Sequence, residues 1–334
     1  MASIGVLGAG TWGIALARML SVHGHDVSVW SALPQEIDEY IKTRTNPNLP
    51  DMRVPDEVGF TKDVSEICRD KDILLFAVPS VYVRSTAKTA APFIKDGQII
   101  VDVAKGLEPE TLKTMTEVIA EEVNKPGCKY VALSGPTHAE EVAVDLPTCI
   151  VSACEDIEVA GKVQDIFSNP VMRVYTNTDV KGVEICGALK NIVALASGIS
   201  SGLGYGDNAR AGLMTRGLVE IKHLGLRMGC REETFSGLAG MGDLIVTATS
   251  EHSRNNRCGK LLGQGVPPDE AIKQVGMVVE GVNAIPAALE LAAKYGVEVP
   301  LVSAVASVVA GANAREVADS LMSREKKSEL CDPE

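Results

Sequence analysis

The segment Ile4–Gly13 constrains this chain more than any other. Ile4-Gly5-Val6-Leu7 is a short apolar run, and it ends in Gly8-Ala9-Gly10-Thr11-Trp12-Gly13, a Gly-x-Gly-x-x-Gly spacing. Ile14 to Leu20 follows as a helical segment. The order strand, glycine turn, helix is what a dinucleotide site requires. Gly8 permits the tight turn, Gly10 lets the backbone approach a pyrophosphate, and Gly13 lets the helix pack close to the strand. Unpaired N–H groups and the helix dipole at that helix start favour an anion. A glycine triplet alone is weak evidence; the readable strand before it and helix after it make the reading specific.

The rest of the first half repeats the alternation. Apolar runs predict strands at Ser3–Leu7, Asp26–Trp30, Ile73–Val78, Ile99–Val103, Tyr130–Ser134, Thr148–Ser152 and Met172–Tyr175. Val81–Phe93, Leu112–Val123 and Ile157–Phe167 read as helices between them. Strands that are continuous runs of Val, Ile and Leu suit a parallel sheet buried on both faces. The expected fold is α/β, an N-terminal doubly wound Rossmann-type sheet domain over residues 1–180. Beyond Val183 the apolar spacing turns helical, so residues 181–324 are expected to form an all-helical C-terminal domain. Residues 325–334 read as a polar tail. The expected place for an active site is the cleft between the two domains.

Composition narrows the partners. The net charge is −12, so nucleic acid and anionic membrane are poor partners. Screening acts over about 8 Å at physiological salt, so a local cluster of Lys and Arg can still govern a pocket. Aromatic residues make up only 4% of the chain, which leaves the core to Val, Ile, Leu and Ala. The cysteines, at 68, 128, 149, 154, 186, 230, 258 and 331, form no Cys-x-x-Cys pair and read as buried apolar residues rather than metal ligands or disulfides. A strand beginning at Ser3 leaves no room for a signal peptide, and no run of 18 uncharged apolar residues occurs. The expectation is a cytoplasmic protein with no membrane insertion.

Several polar residues stand where chemistry is possible. Lys105-Gly106 follows a strand end, the place where open α/β sheets bind ligands. Ser134-Gly135-Pro136-Thr137-His138 follows another, and there Thr137 is the expected cap of a helix begun by Glu140 and Glu141. His138 has no second ligand at usable spacing, so it reads as a helix-start residue. Lys190 and Asn191 interrupt an almost wholly apolar helical stretch, where a charged group tends to face a cleft. Asp243 ends the glycine-rich run Gly237–Gly242, either as a helix cap or as partner to a lysine. Arg254, Arg257 and Lys260, behind Ser253, form a cationic cluster that suits a phosphate or a basic surface loop.

Taken in order, the motifs resemble those of the bacterial-type NAD(P)-dependent glycerol-3-phosphate dehydrogenases. The matching pieces are the Gly8–Gly13 fingerprint with Thr11 and Trp12, Lys105-Gly106, Gly135-Pro136-Thr137 and Ala188-Leu189-Lys190-Asn191. Gly204-Tyr205-Gly206-Asp207-Asn208, Thr215-Arg216-Gly217, Gly240-Met241-Gly242-Asp243, Ser253-Arg254-Asn255 and Val279-Glu280-Gly281 continue the series. Each is common; all of them in this order are specific.

The resemblance implies reversible hydride transfer between a nicotinamide and C2 of a three-carbon phosphate, reducing dihydroxyacetone phosphate to sn-glycerol 3-phosphate for phospholipid synthesis. It makes Lys190 the acid/base, with Asp243 and Lys105 beside it. Lys105, Gly135, Thr137, Lys190, Asp243, Ser253, Arg254 and Asn255 would line the substrate site. Gly8, Gly10, Thr11, Trp12, Gly13, Lys105, Ala139, Arg254, Val278 and Glu280 would meet the coenzyme. No metal is called for, because the cations already polarise the carbonyl. An ordinary lysine, with a pKa of about 10.4, carries its proton at neutral pH.

One departure concerns coenzyme choice. Ala32 stands where members that take NADP often carry a basic residue, and no Asp or Glu stands at the end of the second strand; Glu36 is the first acid beyond it. The expectation is use of both NAD and NADP with weak discrimination, leaning towards NAD. Two rivals remain: a hydroxy-acid dehydrogenase of the same architecture, which would not need Arg254, and a dinucleotide-sensing regulator, which would not need Lys190 or Asp243. A homodimer is the base-rate expectation for assembly.

Overall fold

Residues 1–326 and 328–329 are described by the computed structural model. They divide into two compact units. The first comprises Met1–Lys105 and Lys113–Val180; the second comprises Gly106–Leu112 and the chain from Lys181 onward.

The strands of the first unit are, in chain order, β1 (Ser3–Leu7), β2 (Asp26–Trp30), β3 (Thr45–Asn46), β4 (Leu49–Arg53), β5 (Gly59–Thr61), β6 (Ile73–Phe76), β7 (Ile99–Asp102), β8 (Lys129–Ser134), β9 (Thr148–Ala153) and β10 (Met172–Asn177). Eight of them form one sheet in the order β10-β9-β8-β7-β6-β1-β2-β5. Ile4, Val6 and Leu7 on β1, and all of β6, are shut off from solvent, as strands covered on both faces must be.

The sheet departs from the sequence-based expectation in three ways. The pairing of β8 with β9 is antiparallel, while every other pairing in this sheet is parallel. The link between them holds a single four-residue helix, Ala139–Val142. Such a helix rises about 6 Å, too little to carry the chain back along a strand. The edge strand β5 and the small antiparallel pair β3–β4 were not anticipated. They are two to five residues long, and polar positions interrupt the apolar periodicity in them. The helix expected from Leu112 begins instead at Met115, because Leu112 has φ +59° and the chain turns there before Thr114 caps the helix.

The second unit is helical and is built round Val180–Gly202. Every residue from Gly182 to Ser200 in that helix is buried. By length and hydropathy it is able to cross a membrane, yet its apolar window lies wholly inside the protein. Its neighbours approach through glycine. A Cβ added to Gly198 would lie 2.1 Å from the Asn256 carbonyl, and one on Gly259 would lie 2.1 Å from that of Leu195. Gly202 and Gly263 repeat the contact one turn on. Helix Arg254–Gly263 therefore touches Val180–Gly202 backbone to backbone. Leu107 is buried in this helical core, which is why Gly106–Leu112 belongs to the second unit although it follows β7 in sequence.

Candidate active site

The glycine turn has the geometry the spacing demands. Gly8 adopts φ +122°, and a Cβ there would lie 2.5 Å from the Ala77 carbonyl. A Cβ on Gly13 would strike the Gly8 carbonyl at 2.3 Å. Gly10 differs: nothing lies within 4 Å of where its Cβ would be, and it is exposed. It is also the N-cap of the helix Thr11–Val22, and no side chain caps that end. The result is an open cradle of backbone N–H groups at a helix start, the arrangement that accepts a pyrophosphate. Thr11 and Trp12 line the first turn half-buried, Trp12 against the core. The Tyr40 hydroxyl, donating to the Ala9 carbonyl at 2.9 Å, anchors the turn from behind. Burial pushes the Tyr40 phenol up to about 12, so it remains a donor at any working pH. Nothing in the local sequence links Tyr40 to the turn.

Beyond the ends of β7 and β8 stands Lys105. Its ammonium donates to the Gly135 carbonyl at 3.0 Å and to Thr137 Oγ1 at 3.2 Å. The Asp102 carboxylate accepts from the Ala104 N–H, which braces the turn leading to Lys105. Gly135 has φ +155° and packs against β9, where a Cβ would meet the Cys149 carbonyl at 3.1 Å. Thr137 is not the expected helix cap. His138 takes the N-cap position without a side-chain bond, and the Thr137 hydroxyl turns to the Gly135 carbonyl instead. The Ser134 hydroxyl, at the end of β8, is buried and has no hydrogen-bond partner among the described residues. Ala139 opens the short helix, half-buried against the core.

In the helical unit the second cation is deeply enclosed. The Lys190 ammonium lies 2.6 Å from Asp243 Oδ1. The two side chains are 6% and 1% exposed, so this is a buried ion pair and not a surface one. A π-helical turn, Leu238–Gly242, delivers Asp243 as the first residue of the helix Asp243–Thr249. Gly240 is required there, because a Cβ would come within 2.1 Å of the Phe235 carbonyl. The carboxylate thus partners a lysine and does not cap the helix. Thr247, one turn on, donates its hydroxyl to the Asp243 carbonyl at 2.7 Å and accepts from Lys190 Nζ. Sequence reasoning missed Thr247, since a threonine among apolar residues carries no signal until the lysine is seen beside it.

Asn191 joins a second network. Its Oδ1 accepts from Asn255 Nδ2 at 2.9 Å, and Asn255 Oδ1 accepts from the Gly281 N–H at 2.8 Å. Asn255 therefore ties three helices and keeps one amide N–H for a ligand. Ser253 is the N-cap of Arg254–Gly263, its oxygen accepting from the Asn256 N–H. Its own hydroxyl proton stays available to an anion. The cationic cluster divides: Arg257 and Lys260 are exposed, whereas Arg254 is half-buried and, among the described residues, makes no hydrogen bond or ion pair. Val278 and Glu280 are half-buried where helix Glu280–Tyr295 begins. Of the described cysteines, 68, 154, 186, 230 and 258 are buried, and Cys331 lies outside the described residues.

Residues 3–160 match the family model described as NAD-dependent glycerol-3-phosphate dehydrogenase N-terminus, and residues 179–319 match the one for its C-terminus. The chain belongs to this family. A glycerol-3-phosphate dehydrogenase (NAD(P)+) of Lactobacillus delbrueckii subsp. bulgaricus is 70% identical over 99% of both chains. One from Fusobacterium nucleatum is 50% identical, again over 99% of each. The solved glycerol-3-phosphate dehydrogenase of Coxiella burnetii superposes with a TM-score of 0.92 at 35% identity, covering 97% of this chain and 99% of that one. The sheet unit and the helical unit described above are therefore the two domains typical of the family.

Proposed function

We propose that this chain is an NAD(P)-dependent glycerol-3-phosphate dehydrogenase that interconverts dihydroxyacetone phosphate and sn-glycerol 3-phosphate. The observation that carries the reading is the buried Lys190–Asp243 pair braced by Thr247, in a member of this family. Taking two charges out of water costs several kcal/mol per ion, and an apolar pair of like volume is often as stable or better. An ion pair kept inside a helical core therefore speaks for chemistry more than for stability.

Within the sheet unit the open cradle at Gly10 fits a dinucleotide, with Gly8, Thr11, Trp12, Gly13 and Ala139 as its further contacts; within the helical unit, Arg254, Val278 and Glu280 are the residues that the family resemblance assigns to the coenzyme. When bound, the nicotinamide supplies or accepts the hydride. As a C–H bond forms at C2 of the ketone, the carbonyl π electrons move to oxygen. Lys190 stabilises that charge and gives the oxygen a proton, and the amine left behind regains one from solvent. Asp243 and Thr247 hold the ammonium in place. Lys105, seated on Gly135 and Thr137, is the second cation that the family resemblance assigns to the substrate. Arg254, Ser253 and Asn255 hold the phosphate at a helix start, which fixes C2 for hydride transfer. We place the enzyme in the cytoplasm, as a homodimer, supplying glycerol phosphate for phospholipid synthesis.

The test is the loss of NADH absorbance with dihydroxyacetone phosphate, run beside free dihydroxyacetone. The phosphate ester should be reduced at least about a hundred-fold more efficiently, the scale of a charge-assisted bidentate contact or two. Equal turnover of both would remove the phosphate anchor and favour the hydroxy-acid dehydrogenase reading.

A further inference from the structure

The glycine turn and the end of β2 are in direct contact. The Gly8 amide donates to the Trp30 carbonyl at 2.8 Å, so the last residue of β2 lies against the first glycine. Ser31 follows immediately and is 7% exposed. Its hydroxyl accepts from the Leu33 N–H at 3.1 Å and donates to Glu36 Oε2 at 2.6 Å. Glu36 is in the first turn of helix Pro34–Thr43, where the helix dipole favours an acid. In sequence it stands too far past the strand to serve as the strand-end acid. The Ser31–Leu33 turn and the helix start at Pro34 fold it back, and its carboxylate ends one hydrogen bond from the residue after β2. Among the described residues the other oxygen, Oε1, has no partner.

In open α/β dinucleotide sites an acid at the end of the second strand accepts from the adenosine ribose 2′-hydroxyl. We propose, on the reading of this chain as an NAD(P)-dependent dehydrogenase, that Glu36 oriented by Ser31 recognises that hydroxyl and rejects a 2′-phosphate, so that the chain selects NAD over NADP. Glu36 is then a specificity residue, and Ser31 its positioning residue. A 2′-phosphate would bring a dianion against a carboxylate in a half-buried site. Among the described residues no Lys or Arg is ion-paired with Glu36. Ala32 has no charge to give. Lys62, whose backbone carbonyl accepts from the Trp30 indole at 3.2 Å, is paired with Asp38 at 2.6 Å. Asp38 and Glu39 add further negative charge on the same helix. The inference sharpens the lean towards NAD expected from sequence.

Coenzyme binding without substrate tests this. NADH and NADPH are titrated separately into the purified protein, followed by quenching of its tryptophan fluorescence. The unmodified chain should bind NADH at least about ten-fold more tightly than NADPH, the scale of one charged hydrogen bond gained or opposed. Glu36→Gln should cut that ratio by about ten-fold, through weaker NADH and tighter NADPH binding. Ser31→Ala should cut it by less, because the carboxylate stays but loses its orientation. Thermal unfolding without coenzyme checks that both variants keep the fold. Equal binding of the two coenzymes by the unmodified chain, or a ratio unmoved in Glu36→Gln, overturns the inference while leaving the dehydrogenase reading intact. If neither coenzyme binds, the dinucleotide site itself is refuted and the inference goes with it.

Discussion

Lys190 sits in a helix that offers it almost nothing polar, and its usefulness depends on what reaches across from elsewhere. Asp243 supplies the counter-charge, and Thr247 adds a second fixed acceptor, its hydroxyl held by donating to the Asp243 carbonyl. Its role is therefore positional. Thr247→Val keeps the shape and deletes the acceptor. It should lower kcat by about ten- to a hundred-fold, the scale of a small misplacement of a catalytic group, while KM for dihydroxyacetone phosphate moves by less than about three-fold. Thr247→Ser retains the hydroxyl and should recover most of the loss. Steady-state kinetics on the three proteins decide it; a valine variant with full kcat removes Thr247 from the argument. Lys190 and Asp243 stood out in the sequence because a charge beside apolar residues or glycine is conspicuous, and the structure pairs them. Thr247, Tyr40 and the fold-back of Glu36 did not stand out, because each acts through a contact distant in sequence or through a turn whose direction the sequence does not encode locally.

Whole elements show the same division. The strands β1, β6, β7, β8 and β9 were readable because their buried stretches are mainly apolar runs, and β2 and β10 because apolar residues alternate along them. The strands β3, β4 and β5 were not, since short edge pieces take their conformation from their neighbours. The close crossing of Val180–Gly202 and Arg254–Gly263 was also hidden: Gly198, Gly202, Gly259 and Gly263 read as punctuation when they are contact surfaces. That distinction can be measured. Gly→Ala within a helix gains about 1 kcal/mol of helix propensity. At Gly161, inside helix Ile157–Phe167, nothing lies within 4 Å of the new methyl, so Gly161→Ala should stabilise by up to that amount. At Gly259 the methyl would meet the Leu195 carbonyl at 2.1 Å and the Ile199 amide nitrogen at 2.9 Å. Overpacking of that kind costs typically 1–3 kcal/mol, enough to outweigh the propensity. Gly259→Ala should therefore lower Tm by several degrees and, since the proposed phosphate contacts Arg254 and Asn255 ride on the same helix, weaken substrate binding as well. The same substitution is expected to give opposite signs at the two sites in thermal unfolding, and equal effects would show that the crossing is looser than described.

At the scale of the molecule, one buried acid ties stability to pH. Glu220 is 7% exposed, and its two oxygens accept from the Leu301 and Val302 N–H groups at 2.7 and 3.2 Å, where helix Pro300–Val309 begins. Those bonds favour the charged form, as do the nearby Arg324 and Arg216, but loss of solvent outweighs them and raises the carboxyl from 4.5 to about 7. The sign follows from proton counting. Between those two values the folded state holds a proton on Glu220 that the unfolded chain has released, so unfolding stability falls as pH rises through this window and levels off above about 7. The full difference is about 3 kcal/mol at 1.36 kcal/mol per pH unit. Glu220→Gln keeps one acceptor for the helix start and abolishes the titration. Relative to this variant, the unmodified protein should gain several degrees of Tm on going from pH 8 to pH 5, at about 2–4 °C per kcal/mol for a unit of this size. Parallel Tm-against-pH curves for the two proteins would mean that Glu220 keeps an ordinary carboxylate's titration despite its burial. A converging pair would instead identify the junction of Asp207–Arg227 with Pro300–Val309 as the place where the helical unit senses protons.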